Sequence, residues 1–343
     1  MRDSPPLVGI DARAAVRAQV GGVERVAREM ALRLPALRPD RYHVLTPPAA
    51  LAHRAGHLWE QALAARTRRL SLLYCPANLA PLLSRRNVVV IHDAAALRYP
   101  RAYSLAYVAY QRRVLPAIAR LARLVITVSE FARQELVDTL GLAPGRLRVI
   151  APGVDARFSG DADHVLVAVK YGLERPYVLT VGTVSERKNL AVLEPAARAL
   201  AERGIDLIVA GGERGYLRGA PLDLRRLGYV AEPDLPGLYA GARALAMPSG
   251  HEGFGLPCLE AMASGLPVVA ARRGALPETV GEAGLLADPD DADAFAAAVL
   301  AAACQEDLRR ALAEQGRRRA RAFTWDRTAA LTDAAIGALL GER

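Results

Sequence analysis

ARALAMPSGHEGFGLPCLEAMASGLPVVAA, residues 242–271, carries the clearest fold signal in the chain. Its first eight residues (242–249) read as an apolar strand. A loop with two glycines follows, His251-Glu252-Gly253-Phe254-Gly255. LPCLEAMASG (256–265) then reads as a helix and PVVAA (267–271) as the next strand. Pro257 suits the first turn of a helix, where the missing N–H costs nothing. Gly265 ends that helix, and Pro267 lies just beyond it.

The same alternation extends upstream. YVLTV (177–181), DLIVAG (206–211) and LGYV (227–230) read as strands, with NLAVLEPAARALAERG (189–204) and DLPGLYAGA (234–242) as helical connectors. An earlier set has LVGI (7–10), YHVL (42–45), LLYC (72–75), VVVI (88–91), LVITV (124–128) and LRVI (147–150) as strands. Helical stretches at 23–34 and 106–122 separate them. Short apolar runs alternating with longer helical patterns predict mostly parallel sheets with helices on both faces. The fold class is therefore α/β, with two doubly wound units in tandem. Ala151-Pro152-Gly153 and the polar residues to about His164 read as the linker. In open α/β sheets ligands lie at the carboxyl ends of strands, and with two such domains the expected site is the cleft between them.

Length agrees with two domains: 343 residues, at about 100–200 per domain. Hydrophobic residues at 52% exclude disorder of the whole chain. No apolar run approaches the ~18 residues of a membrane span. MRDSPPLVGIDARAA at the N-terminus has no charged-then-apolar signal region, so a cytoplasmic location is expected. Cys75, Cys258 and Cys304 fit neither a zinc spacing nor a disulfide framework.

The net charge of +9 divides unevenly, +13 over residues 1–150 and −4 over 151–343. A basic first half suits an anionic membrane face or a phosphorylated acceptor. Nucleic acid is not expected, since aromatics are only 5% and no nucleic-acid-binding signature is present. LWEQALAARTRRL (58–70) is the candidate membrane-facing stretch, with a solvated arginine-rich helix as its alternative. Of 45 basic residues only Lys170 and Lys188 are lysines. With abundant alanine, this reads as the codon bias of a GC-rich bacterial genome.

Four stretches carry candidate chemistry. Glu252 lies in the glycine loop and Glu260 in the helix it opens. One carboxylate can meet a sugar while the other hydrogen-bonds a diol further along the same ligand. The loop and helix N-terminus form an anion site by geometry. In VGTVSERKNL (181–190), Arg187 offers a bidentate fork and Lys188 a point charge to a diphosphate, and Asn189 is placed to cap the next helix. Gly21-Gly22 precede a helix and permit backbone contact with a phosphate or acceptor, but lack dinucleotide spacing. His92, at the end of VVVI, is placed to bond a sugar hydroxyl, with a structural histidine as the alternative. Asp288, Asp290, Asp291 and Asp293 resemble a metal cluster, yet acids at a helix start are favoured by its dipole.

Together these residues resemble a retaining glycosyltransferase of family four. The resemblance rests on the Glu-x7-Glu pair Glu252 and Glu260, VGTVSERKNL, Gly21-Gly22, Ile91-His92-Asp93, SEFARQEL (129–136) and APGVD (151–155). GALPETVGEAGLLADP (274–289) and FTWDRTA (323–329) extend it over nearly the whole chain. It implies a GT-B fold, two Rossmann-like domains facing across a cleft. Residues 1–160 with the terminal helix 325–343 would bind acceptor, and 161–324 would bind the nucleotide-sugar donor.

It also implies site roles: His92 and Glu252 catalytic; Arg187, Lys188, Gly22, Gly255 and Leu256 at the diphosphate; Phe254 and Gly255 at the donor sugar; Glu260 at the ribose; and Tyr229 and Val230 at the base. No metal or cofactor is required, and the donor is the substrate. Many relatives place arginine directly after the glycine of the VG loop. Here Thr183 stands there, and Arg187 supplies the second cation, as in relatives with an Arg-Lys-Asn loop. Those relatives often use GDP-mannose. Two alternatives remain: a non-catalytic nucleotide-sugar-binding subunit, and another GT-B enzyme such as a sugar-nucleotide epimerase.

Overall fold

The computed structural model describes residues 7–48, 56–66, 70–219 and 223–341. The start of the chain examined for a signal region, MRDSPP, lies outside the described residues. So do residues 67–69 of the basic 58–70 stretch. Among the described residues no helix is long and apolar enough to cross a membrane.

The chain divides into two compact units. One holds the described residues up to Leu97, Ala109–Gly153 and those from Thr324 onward; the other holds Arg98–Val108 and Val154–Phe323. The first unit is built on six parallel strands: β1 (Val8–Asp11), β2 (Tyr42–Leu45), β3 (Leu72–Cys75), β4 (Asn87–Val90), β5 (Leu124–Thr127) and β6 (Leu147–Val149). Their order is β2-β1-β3-β4-β5-β6. β1, β3, β4 and β5 are buried along their whole length. Helices cover both faces of such a sheet, which is why these strands read as continuous apolar runs rather than alternating ones.

The second unit repeats the plan with β7 (Tyr177–Val181), β8 (Asp206–Ala210), β9 (Arg225–Gly228), β10 (Ala244–Met247), β11 (Val268–Ala271) and β12 (Leu285–Ala287). All are parallel, in the order β12-β11-β10-β7-β8-β9. β9 ends at Gly228, so the LGYV run leaves the sheet before Tyr229 and Val230. The strand order reverses between β7 and β10. At such a switch point the loops leaving the two strands diverge to opposite faces and open a crevice. The loop after β7 is VGTVSERKNL, and the loop after β10 is HEGFG.

The boundary between units falls at Gly153/Val154 rather than after residue 160. Val154 N–H already donates to Phe323 O at 3.0 Å, tying the chain beyond Gly153 to the second unit. The terminal helix Trp325–Leu340 belongs to the first unit. It packs against the helix Gly22–Leu37. Asp333 accepts from Arg41 Nη1 (2.8 Å) and Tyr42 Oη (2.7 Å), and Asp326 pairs with Arg33. Thr324 caps the helix by accepting from Arg327 N–H, and Trp325 is 1% exposed.

Candidate functional site

The switch point of the second unit brings the two strongest sequence motifs into direct contact. Lys188 Nζ lies 2.7 Å from Glu252 Oε1, and Arg187 Nη1 lies 2.9 Å from the same oxygen. Arg187 Nη1 also donates to His251 O, and Gly250 N–H donates to Arg187 O at 2.9 Å. The β7 and β10 loops are thus cross-linked by side chain and backbone. All three charged groups are largely buried. Burial alone would raise the Glu252 carboxyl, but the charges of Arg187 and Lys188 outweigh it and hold the carboxyl at about 2. The Lys188 ammonium is pulled below its ordinary value by burial, with Arg187 adding to the drop and Glu252 opposing it. Glu252 is therefore ionised at neutral pH. Two cations face one carboxylate.

Glycine makes this geometry accessible at two points. Gly182 has φ +146°, and a Cβ there would come within 2.7 Å of Lys188 Cε. The lysine side chain lies across the space that the missing Cβ leaves. Gly255 caps the helix Leu256–Ala263 with φ +102°, and a Cβ there would meet Leu276 Cδ2 at 2.7 Å. The N-terminus of that helix, with Leu256 at its first position, lies in the same loop as Glu252. Phe254 turns its ring edge-on to Phe323 (5.9 Å between centroids), and its carbonyl accepts from Thr279 Oγ1. The Phe254 side chain is core packing, so backbone is what its loop has to offer a ligand. Ala275 N–H donates to Glu252 O at 2.9 Å.

Glu260 lies one turn into the helix, 4% exposed, with Oε2 accepting from Tyr239 Oη at 2.8 Å. The Cys258 thiol between the two glutamates is pushed up by burial, then by the charge of Glu252, with Glu260 adding and Lys188 opposing. Tyr229 and Val230 follow β9. Tyr229 is 38% exposed and Val230 buried.

One local expectation is corrected. Asn189 does not cap a helix. It adopts φ +50° and donates Nδ2 to Pro289 O at 2.8 Å, because a 3-10 turn (Glu186–Lys188) and a second one (Leu190–Leu193) precede the α-helix, which starts at Glu194. The cations therefore lie in a tight turn and not at an α-helix N-terminus. The acidic run is accounted for locally: Asp291 caps the helix Ala292–Cys304 through Ala294 N–H (2.9 Å), and Asp290 pairs with Arg273 (2.7 Å).

Gly22 and His92 belong to the other unit. Gly21 N–H donates to Glu24 Oε2 at 3.1 Å, and Arg28 holds the preceding loop through the Ala15 and Arg17 carbonyls. His92 is buried, with Nε2 3.0 Å from Pro76 O and its N–H on Asn78 Oδ1 (2.8 Å). Burial lowers its pKa, with the Pro76 contact opposing, so the ring is neutral, with Nε2–H donating and Nδ1 carrying the lone pair. The same unit holds a second buried charge cluster. Arg13 Nε is 2.9 Å from Glu60 Oε2, and Arg13 N–H donates to Asp11 Oδ1 at 2.9 Å. Burial, reinforced by the Glu60 charge and opposed by Arg13, raises Asp11 to about 7. The helix that carries Glu60 (Gly56–Arg66) also buries Trp59 and Leu63 in the core and leaves Leu58 outside.

Residues 57–158 match the family described as Glycosyltransferase Family 4, and 175–305 match Glycosyl transferases group 1. The chain is 34% identical over 293 residues to O-antigen chain mannosyltransferase B of Escherichia coli, covering 80% of this chain and 76% of that one. The chain belongs to the family-4 glycosyltransferases. A second relative is D-inositol 3-phosphate glycosyltransferase of Salinispora arenicola, 37% identical over 62% of this chain. This glycosyltransferase spans only about half of that protein, 53%. Its fold is also that of HepE from Anabaena, solved in complex with UDP and glucose: TM-score 0.72, 18% identity, 96% of this chain and 99% of that one. Both sheets of the glycosyltransferase thus belong to a GT-B architecture.

Several residues around this candidate site carry no sequence signal. Tyr99 donates its hydroxyl to Gly250 O (3.0 Å) and tilts its ring against His251 (5.0 Å). Tyr103, Tyr107 and Tyr216 form a stack that holds 98–108 to the loop after β8. Ser104 N–H donates to Tyr216 O, and Glu186 N–H donates to Arg218 O, carrying that support to the Arg187-Lys188 turn. Thr279 stands in the PET run that the family resemblance already covered. Tyr239 and the tyrosines of 98–108 had no signal in spacing.

Proposed function

We propose that the enzyme transfers a hexose from a nucleoside-diphosphate sugar to a glycan, lipid-linked or small-molecule acceptor, with retention of anomeric configuration and without a metal. The observation that carries this reading is the buried contact of Arg187 and Lys188 with Glu252 at the mouth of the helix Leu256–Ala263. A diphosphate leaving group develops negative charge as the glycosidic bond breaks. Preorganised cations and helix-end N–H groups stabilise that charge where water is excluded. Arg187, Lys188 and the backbone of Gly255 and Leu256 supply those groups. Phe254 and Gly255 backbone and Glu252 hold the donor sugar, Glu260 the ribose, and Tyr229 and Val230 the base.

The ionised Glu252 is tied to two cations, which makes it a poor nucleophile. The acceptor therefore attacks from the face that the diphosphate leaves, and the departing phosphate takes its proton. His92, neutral with its lone pair on Nδ1, accepts from a sugar hydroxyl. The sugar is a mannose-type hexose or a deoxyhexose; a GDP-linked mannose-type donor is favoured by the Arg187-Lys188-Asn189 loop and by the mannosyltransferase relative. A phosphorylated or lipid-linked acceptor suits the basic first half, which also suits a peripheral anionic membrane contact. A place in polysaccharide or glycoconjugate synthesis follows.

The test is incubation with GDP-mannose and with UDP-glucose, each with mannose, inositol 3-phosphate and a lipid-linked sugar as acceptors, read by proton NMR. A new glycosidic bond of the donor's own configuration is expected. An inverted linkage, an epimerised donor sugar or a trapped glycosyl–Glu252 adduct would contradict the reading.

A further inference from the structure

Behind Glu260 lies a tyrosine from a separate helix. Tyr239 stands in the helix Leu235–Ala240, is 0% exposed, and gives its hydroxyl to Glu260 Oε2 at 2.8 Å. Its ring is met edge-on by Phe158, with centroids 5.6 Å apart and planes at 79°. Phe158 is itself held by Arg157, whose guanidinium lies 5.2 Å from the ring centroid and ion-pairs with Glu232 at 2.8 Å. The tyrosine side chain has one place to be.

An ionised carboxylate accepts hydrogen bonds at about four lone-pair positions, and a phenol fills one of them. An O–H donated to a charged oxygen is stronger than a neutral pair. It fixes which oxygen of Glu260 turns to the core and so which lone pairs remain for a ligand. A pocket built to pair a substrate hydroxyl rejects the analogue that lacks it, because the buried partner is then left unsatisfied. That discrimination holds only while the buried partner cannot turn away.

We propose that Tyr239 is a positioning residue for ribose recognition: its hydroxyl holds the Glu260 carboxylate where it accepts from the ribose hydroxyls of the donor nucleotide. This rests on the assignment of Glu260 to the ribose. Tyr239 thereby sets the preference for ribonucleotides over 2′-deoxyribonucleotides without touching either.

Calorimetry of the full chain with GDP and 2′-deoxy-GDP, and with UDP and 2′-deoxy-UDP, tests this in wild type, Tyr239→Phe and Glu260→Gln. The wild type is expected to favour the ribonucleotide of the pair it binds by about 10-fold or more. Tyr239→Phe keeps the ring and its packing on Phe158. It is expected to weaken the ribonucleotide more than the 2′-deoxy form, which keeps only its 3′-hydroxyl, and to shrink the preference to about 2-fold. If Tyr239→Phe retains the full preference, or weakens both forms equally, while Glu260→Gln abolishes it, the tyrosine is structural and this proposal alone is overturned. If Glu260→Gln keeps the preference, or the wild type binds neither pair, the ribose assignment fails and the proposal falls with it. Should Tyr239→Phe not fold, Phe158→Leu loosens the same ring; a narrowed preference there supports the proposal and an unchanged one overturns it.

Discussion

The two units bury charge clusters of opposite stoichiometry. In the first, at the carboxyl end of β1, the Arg13 guanidinium pairs with Glu60, and Asp11, which accepts from the Arg13 backbone N–H, feels both charges. In the second, at the β7/β10 switch point, Arg187 and Lys188 face one carboxylate, Glu252. Burial penalises every charge in both. The outcome differs because the partners differ. Asp11 is raised to about 7, whereas Glu252 is held at about 2 and stays ionised. In the first cluster carboxylates outnumber cations, and Asp11 takes up a proton as the pH falls below about 7. Among the named groups of the other, cations outnumber carboxylates by one. Similar folds with similar depth of burial are thus distinguished by a count of charges.

The largest expected effect comes from removing the carboxylate of the second cluster. Glu252→Gln should lower transfer by about 100-fold or more, while nucleoside-diphosphate affinity stays within about 10-fold of wild type, since the cations remain. Steady-state rates beside calorimetry measure both; wild-type turnover would break the assigned role. Gly255→Ala comes next. It forces a Cβ into φ +102° and against Leu276 Cδ2, so about 1–3 kcal/mol of stability should be lost. Urea unfolding at wild-type midpoint would show that the loop relaxes freely.

The first cluster is sharpened by pH. Between the ordinary aspartate value of 3.8 and about 7, the folded chain keeps a proton that the unfolded chain has released. Stability therefore falls as pH rises through that window, by up to about 1.4 kcal/mol per pH unit from this group, and levels off above it. Asp11→Asn should flatten that slope and equal or exceed wild type at pH 8. Parallel unfolding curves for the two proteins between pH 4 and 8 would remove the asymmetry between clusters. The smallest effect is expected from Thr279→Val, which deletes the donor to Phe254 O. A loss of about 1 kcal/mol and a few-fold weaker nucleotide binding should follow; unchanged affinity would mean the Phe254-Gly255 loop is held by its neighbours alone.

Much of this was readable before any coordinates. Period and punctuation placed the strands, because buried parallel strands are unbroken apolar runs bounded by loops. The β7 and β10 loops each stand out in sequence because each carries charge and glycine directly after a strand; that they share a diphosphate is what the family resemblance implies. Their direct contact was not readable: it depends on strand order, which puts β7 beside β10 although β8 and β9 intervene in sequence. Asn189 misled for a local reason, since a capping residue type before an apolar run says nothing of the two 3-10 turns that precede the helix. Tyr239 with Glu260, and Asp11 with Glu60, were hidden because each pair joins separate elements at no characteristic spacing. The division at Gly153/Val154, and the transfer of Arg98–Val108 to the second unit, follow from backbone hydrogen bonds such as Val154 to Phe323 and Ser104 to Tyr216, which leave no mark in composition.

The account turns on whether the Arg187–Lys188–Glu252 cluster takes a diphosphate. Calorimetry of the wild type with UDP, GDP, TDP and ADP, repeated with Lys188→Ala, asks this directly. One nucleotide should bind clearly, and the variant should weaken it by about 10-fold or more. Equal affinity in the variant, or no binding of any of the four nucleotides to the wild type, would contradict it.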